Sequence, residues 1–229
     1  MAKTNAIPNL ITIAALDNTL AGLREDYKRA TLDRADTGSD PLLFFRNWLD
    51  EALAAQVPEP NAMTLATVDV SGQPHARIVL LKGLEDGQFV FYTNYESHKA
   101  AEISENGRVA LVFFWPELER QVRIEGLIAK VSAEMSEAYF AVRPRRSQLG
   151  AWASPQSREV TGREVLEERF QEAESRFEGV ASVPRPTHWG GYGVTAHLME
   201  FWQGRRSRMH DRIVFRKTDG GWEPVRLAP

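Results

Sequence analysis

The chain predicts a mainly β fold with flanking helices, of the α+β class, in which antiparallel strands close toward a barrel. Three observations lead there. Apolar runs of strand length are separated by short polar turns such as "SGQP", "EDGQ" and "PELE". Helical periodicity is confined to the start of the chain and to segments between groups of strands, so no βαβ alternation emerges. Roughly six to eight strands at this spacing suit an antiparallel barrel. No repeat, low-complexity tract or composition shift divides the chain. It reads as one domain over residues 16–229 after a flexible N-terminal segment, residues 1–15.

Each element can be justified in order. Leu16 to Leu32 reads as a helix with Leu20, Leu23 and Tyr27 on one side. "SDPLLFFRNWLDEALAAQV" is a clearer helix: Asp40 can cap it, Pro41 suits its first turn, and Phe45, Trp48, Leu49, Ala52 and Leu53 follow the helical period. The period then changes. "AMTLATVDV", "HARIVLLKGL" and "FVFYTN" read as strands, and a short helix starts near Ser97. "RVALVFFW" and "RQVRIEGLIAKVS" form the next pair, and a helix near Ser136 to Val142 ends before Pro144. "GREVLEERFQEAESRFEG" is a charged amphipathic helix with Val165, Leu166, Phe170 and Phe177 on its inner side. After the Pro-rich "VPRP", the segments "GGYGVTAHLMEFWQG", "DRIVFRK" and "GWEPVRLA" supply three more strands.

Composition narrows the chemistry. The 229 residues carry a net charge of -3, so no global field draws the chain to nucleic acid. Six Trp and eleven Phe are generous; most serve the core, and the rest suit a flat ligand or a subunit interface. The absence of Cys removes disulfides and thiolate chemistry, and fits a reducing compartment. The first twenty residues are too polar for a signal peptide, and no later run has the length of a membrane span. A cytoplasmic protein is expected. His75, His98, His188, His197 and His210 show no metal-binding spacing, so no metal is expected. A G-x-S-x-G elbow, a P-loop and a dinucleotide fingerprint are all missing.

Cations are more informative. In "ARIVLLKGL" an apolar run, Ile78, Val79, Leu80 and Leu81, lies between Arg77 and Lys82. Such ends can simply snorkel to water, or they can frame a slot for something flat and anionic. Strand alternation puts Arg77, Val79 and Leu81 on one face and Ile78, Leu80 and Lys82 on the other. The two cations therefore suit opposite ends of one ligand, or two neighbouring ligands. Ser97 opens a helix, so backbone N–H groups and Lys99 can meet a phosphate there. In "YFAVRPRRSQ", Tyr139 and Arg143 share a helical face, and Ser147 follows the Pro144 break, forming a plausible second phosphate cradle. Arg145, Arg146, Arg208 and Arg212 lie beside aromatics or at element ends as well. Each alone is more often surface decoration; only their number makes the ligand reading competitive.

The blocks "RIVLLK", "VFYTN", "LERQVRIEG", "RPRRSQLGAWAS", "FWQG" with "RMHDR", and the terminal "RLAP" together resemble the pyridoxine (pyridoxamine) 5'-phosphate oxidase family, from about Leu23 to Pro229. The resemblance implies a split β-barrel homodimer with FMN at the subunit interface. It implies oxidation of pyridoxine 5'-phosphate or pyridoxamine 5'-phosphate to pyridoxal 5'-phosphate, with O2 reoxidising the flavin to give H2O2 and the amine releasing ammonia. By motif, Arg77 and Lys99 are expected on the FMN phosphate, with residues 77–82 along the flavin. Tyr92, Thr93, Gln121, Gln156 and Ser157 are expected to complete the contacts of one subunit, while Trp202 and Arg212 reach over from the other. Lys82, Tyr139, Arg143 and Ser147 are expected on the substrate phosphate. Arg208, Met209 and His210 are expected against the substrate, Arg208 and His210 near its reacting carbon, and Arg24 and Tyr27 on a segment that closes the site. One departure stands out: His98 occupies a position that is Arg in many relatives. It predicts a pH-dependent phosphate partner, with FMN retention loosening as pH rises. The basic Arg205 and Arg206 receive no role.

Overall fold

The computed structural model describes Leu23 and residues 25–229. Short helix α1 (Arg34–Thr37) leads into α2 (Pro41–Ala54). The Asp40 carboxylate accepts the backbone N–H groups of Leu42 and Leu43, and Pro41 sits in the first turn, where a missing N–H costs nothing. The buried stripe of α2 is Pro41, Phe44, Phe45, Trp48 and Ala52, whereas Leu53 is 55% exposed. The expected inner face is thus rotated toward Phe44. That ring packs edge-on to Phe201 at 4.7 Å, and Phe45 meets Phe89 and Phe113 at 5.0 Å each.

The strands are β1 (Ala62–Val68), β2 (Pro74–Leu80), β3 (Gly83–Glu85), β4 (Gln88–Asn94), β5 (Arg108–Trp115), β6 (Arg120–Lys130), β7 (Trp189–Gln203), β8 (Asp211–Thr218) and β9 (Gly221–Leu227). They form one nine-stranded sheet of order β2-β1-β5-β6-β7-β4-β3, every pairing antiparallel, with β8 and β9 branching from β7. The branch arises on β7 itself. One of its edges pairs with β6 along almost its whole length; the other pairs with β4 over Trp189–Thr195 and with β8 over Leu198–Gln203. This fork splits the barrel.

"HARIVLLKGL", expected as one strand, is two. β2 and β3 are consecutive in sequence yet lie at opposite ends of the sheet order. Leu81 N–H donates to Asn61 at 2.8 Å, beside β1, and Lys82 N–H donates to Val90 of β4 at 2.8 Å. The two residues carry the chain across the gap as the sheet curls its edges together around the core. A continuous strand would leave one edge unpaired.

The expected helix from Leu16 to Leu32 lies partly outside the described residues, and residues 25–32 are irregular. Their polar groups are taken by distant partners: Arg29 N–H donates to Glu119 Oε2 at 2.9 Å, and Leu32 N–H to Asp211 Oδ2 at 3.1 Å. Helix α3 (His98–Glu105) follows Ser97, as expected. A second apolar cluster is built by α4 (Ala133–Val142), α5 (Arg145–Ala153) and α6 (Arg163–Arg176) around Phe140, Leu149, Ala173, Phe177 and Trp189. Helix α5 was not anticipated, since Pro144 read only as a stop; it is also the residue from which α5 starts. Leu166, placed on the inner side of α6 from its period, is 39% exposed, and Ala173 takes the buried position. Among the described residues no helix is long and apolar enough to cross a membrane.

Candidate functional site

Where β2, β4, α4 and α5 converge, the structure encloses a cavity of about 690 Å3, within the size range of small-molecule and cofactor sites. Ile78, Val79, Leu80 and Lys82 form one wall. Tyr92 and Thr93 from β4, Lys99 from α3, Tyr139, Arg143 and Ser147 from α4 and the start of α5, and Gln156 and Trp189 complete it. Residues far apart in sequence are thus brought to one surface by the curl of the sheet.

One side of the cavity is an anion cradle. Lys99 Nζ donates to Gln156 Oε1 at 3.0 Å, Thr93 Oγ1 at 3.2 Å and Ser97 Oγ at 3.3 Å. Thr93 Oγ1 also donates to Gln156 Oε1 at 3.1 Å. Ser97 is the N-cap of α3, so the free N–H groups of that helix open beside the ammonium. Burial lowers the pKa of Lys99, the neighbouring Arg77 lowers it further, and Glu102 opposes both. Two cations in mutual repulsion in a partly desolvated site favour binding of an anion.

The other side is an aromatic wall with a guanidinium on it. Tyr92 stacks on Tyr139 at 4.0 Å and on Trp189 at 5.5 Å. Arg143 lies 4.4 Å from the Trp189 ring centre, a cation–π contact, and its Nη1 is buried with no hydrogen-bond partner. Burial lowers the Arg143 pKa, partly offset by Tyr139, and burial raises that of Tyr92. An unpartnered buried guanidinium nitrogen is costly and fits a site completed by an anionic ligand. Arg145 and Arg146 do not join it. Arg145 donates to the carbonyls of Phe177 and Val180, and Arg146 covers Phe170, so both hold α6 against α5.

Arg77 does not frame the slot with Lys82. Its guanidinium is turned onto α3, where Nη2 meets Glu102 Oε2 at 3.2 Å and Nη1 donates to the Thr67 hydroxyl and the Leu65 carbonyl. His98 Nε2 lies 3.4 Å from Glu102 Oε1. The alternation expected along β2 holds: Ile78 is 64% exposed and Arg77 half-buried.

A second group lies elsewhere. Trp202 and His210 have ring centres 4.7 Å apart, and Tyr27 meets them at 5.6 Å and 5.9 Å. Arg208 and the exposed Met209 sit in the turn before His210, with Ser207 and Arg208 at φ of 55° and 60°. Arg205 N–H donates to His210 Nδ1 at 3.1 Å, leaving the Nε2 position to carry the proton of the neutral ring. Burial and Arg208 lower the His210 pKa, and Asp211 opposes them. Arg212 forks onto Glu200 at 2.8 Å and 3.1 Å, which raises its pKa. Gln121, expected among the contacts of the first subunit, instead pairs with Trp202 across β6 and β7 and stands with this group. None of these residues lines the cavity. Ser157 is exposed beside it at φ 67°, and Arg24 falls outside the described residues.

Reading the residues missed Glu102, His75 and Trp189. Glu102 follows His98 by four positions and neighbours Ile103 on the buried side of α3; a carboxylate beside that apolar face was the available signal. Among the described residues no grouping of His, Asp and Glu fits a metal ion.

A forked antiparallel barrel with a cavity lined by aromatic rings and by two sets of cationic and hydroxyl side chains defines the split-barrel class. Residues 49–177 match the profile of the family described as pyridoxamine 5'-phosphate oxidase, and residues 189–229 match that of the pyridoxine 5'-phosphate oxidase C-terminal dimerisation region. The chain belongs to the pyridoxamine 5'-phosphate oxidase family. It is 57% identical over 92% of its length to the pyridoxine/pyridoxamine 5'-phosphate oxidase of Cupriavidus necator, covering 99% of that protein. It is 54% identical over 93% of its length to that of Leptospira interrogans, covering 100% of it. Among solved structures, PhzG from Burkholderia lata 383, in complex with tetrahydrophenazine-1-carboxylic acid, aligns with a TM-score of 0.83 at 28% identity, covering 90% of this chain and 100% of that one. A pyridoxamine 5'-phosphate oxidase-related, FMN binding protein from Nostoc punctiforme shares the fold at a TM-score of 0.65 and 18% identity, over 81% of this chain and 97% of that one.

Proposed function

We propose that this chain is an FMN-dependent pyridoxine/pyridoxamine 5'-phosphate oxidase that makes pyridoxal 5'-phosphate in vitamin B6 salvage. Pyridoxine 5'-phosphate and O2 give pyridoxal 5'-phosphate and H2O2; from pyridoxamine 5'-phosphate, water is also consumed and ammonia released. The observation that carries the reading is one cavity with two sets of anion-binding groups, Lys99 with Ser97, Thr93 and Gln156, and the unpartnered Arg143 with Lys82, Tyr139 and Ser147. A cofactor phosphate and a substrate phosphate need two such sets.

The residues fit FMN. Arg77, Lys99, Ser97, Thr93 and Gln156 would take its phosphate, with His98 behind them and Ser157 alongside, and Ile78 to Lys82 with Tyr92 would flank the ring. FMN, when bound, supplies hydride acceptance and reoxidation by O2, which is why no nucleophile or metal is called for. The chain's own work is positioning. Arg143, Lys82, Tyr139 and Ser147 fix the substrate phosphate. Trp189 holds the Arg143 fork flat.

The Trp202, Arg208, Met209, His210 and Arg212 group completes the site from a second copy of the chain, with Gln121 beside Trp202. In this homodimer FMN lies at the interface, and the Tyr27 segment, continuing to Arg24, closes over the substrate. His210 Nε2–H then faces the substrate's oxygen or nitrogen, its tautomer held by Arg205 N–H, and Arg208 manages substrate charge. A phosphate ester does not cross a bilayer unaided, so this reading places the enzyme in the cytoplasm, with its substrate.

The test is an anaerobic absorption spectrum of the FMN-loaded protein before and after addition of pyridoxine 5'-phosphate. Bleaching of the flavin band, reversed by air with pyridoxal 5'-phosphate formed, is expected. A bound flavin that stays unbleached would reduce the protein to a carrier or to a reductase using another donor. The same titration with tetrahydrophenazine-1-carboxylic acid, the ligand of the PhzG structure, should leave the band unchanged.

A further inference from the structure

Glu102 has no part in the reading above, yet three elements converge on it. Its carboxylate, on α3, is 2% exposed. Thr67 Oγ1 of β1 donates to Oε2, and Arg77 Nη2 of β2 reaches the same oxygen at 3.2 Å. His75 Nδ1, also of β2, approaches Oε1 at 2.6 Å, and His98 Nε2, one turn back on α3, lies 3.4 Å from it. The register of β1 with β2 sets His75 opposite Thr67 and Arg77 opposite Leu65, so both basic side chains stand on the same face, toward α3. A carboxylate this deep is costly unless its charge is matched; a guanidinium and a hydroxyl hold Oε2, while Oε1 and His75 Nδ1 lie close to one another without a hydrogen bond.

We propose that Glu102 is a positioning residue for the cofactor phosphate, clamping Arg77 of β2 to the first turn of α3 so that Arg77 and Lys99 present to one phosphate. The inference rests on the FMN reading. Arg77 and Lys99 carry like charges and repel one another, and nothing in the cradle itself restrains Arg77: its contacts are Leu65, Thr67 and Glu102. Without the carboxylate the two cations would separate, and the hydrogen-bonded link between strand and helix would open. The sign of the effect is diagnostic. Removing a negative charge raises the local positive potential, which alone would tighten phosphate binding; loss of positioning weakens it.

The experiment titrates FMN-free, full-length protein with FMN and, separately, with riboflavin, which lacks the phosphate, following flavin fluorescence. In Glu102→Ala the FMN dissociation constant should rise about tenfold or more, the scale of a lost charge-assisted contact, while the riboflavin constant stays put. Glu102→Gln, which keeps an acceptor for Thr67 and Arg77, should recover part of the loss. In an Arg77→Ala background, Glu102→Ala should add nothing. Equal weakening of both flavins would make Glu102 merely structural, and tighter FMN binding would make it a brake on the site. A loss additive with Arg77→Ala would also overturn the proposal. Should Glu102→Ala not fold, Glu102→Gln decides, with selective weakening of FMN expected and an unchanged FMN constant overturning it. A wild-type protein that binds riboflavin as tightly as FMN would instead sink the FMN reading, a distinct result.

Discussion

Arg143 places a guanidinium nitrogen on the cavity wall, buried and without a partner, while Trp189 covers its flat face. Native structures rarely leave such a donor unmatched, so a ligand anion that completes it should contribute strongly to binding. Arg143→Ala is expected to raise KM for pyridoxine 5'-phosphate about 10- to 100-fold with a smaller change in kcat, the scale of a hydrogen bond to a charged group. Arg143→Lys should restore little, because an ammonium cannot reproduce the stacked fork. An unchanged KM in steady-state kinetics would remove Arg143 from the substrate site. His210 carries a second prediction. Burial and Arg208 disfavour its proton, so the folded ring stays neutral below the ordinary histidine value of about 6.5 and charges only at lower pH. The acid limb of kcat/KM should therefore lie below that value. Arg208→Ala removes one of the depressing charges, so the His210 ring should titrate at higher pH by NMR; a titration that does not move would mean that Arg208 is not felt there.

At the level of elements, the β6–β7 ladder aligns the rest of the sheet. Its register shifts between Glu125 and Gly126, and β7 runs on from there to Trp202. A Cβ on Gly126 would lie 2.5 Å from the Thr195 carbonyl oxygen and 2.8 Å from Val194 Cγ1. The first of these is backbone in a paired strand, which cannot swing away. Gly126→Ala should destabilise the fold by about 1–3 kcal/mol, the usual cost of overpacking, and calorimetry should show a fall of several degrees in Tm. An unchanged Tm would show that the strands part here at little cost. The N-terminal segment is an element of another kind. It is held by Asp211, which accepts from Leu32 N–H while ion-pairing with Arg205 and Arg226, so residues 25–32 are shaped by partners far along the chain rather than by helical period. Gly204 lets this segment lie close: a Cβ there would sit 2.6 Å from Tyr27 Cγ.

For the whole molecule, the proposed reading makes each chain the carrier of two incomplete halves of a site. The cavity side holds Lys99 and Arg143; the Trp202 side holds Arg208 and His210, and no residue of the second lines the first. In that reading a closed twofold assembly would bring the halves together between copies without changing either. A subunit-mixing experiment reads this directly. Lys99→Ala with Arg143→Ala on one chain, and Arg208→Ala with His210→Ala on another, should each be nearly inactive alone. Mixed in equal amounts and allowed to exchange, they should recover activity in about a quarter of the sites, since half the dimers are mixed and each rebuilds one intact site of two. No recovery from exchanged subunits would place both halves of each working site in one chain.

Local sequence determined the helices and strands wherever period and punctuation agree: Asp40 and Pro41 starting α2, Ser97 before α3, and the tight turns between strands. It also carried the family, because six ordered motif blocks hold their character over nearly the whole chain. Tertiary structure alone decided the break at Leu81 and Lys82, the fork on β7, the irregular course of residues 25–32 and the turning of Arg77 onto Glu102. The physical reason is common to all four. Each is the meeting of groups distant in the chain, a hydrogen bond to Asn61 or Val90, a strand edge shared by β4 and β8, a carboxylate at Asp211 or Glu102, and period along the chain does not encode which distant partner a backbone or a charge will find.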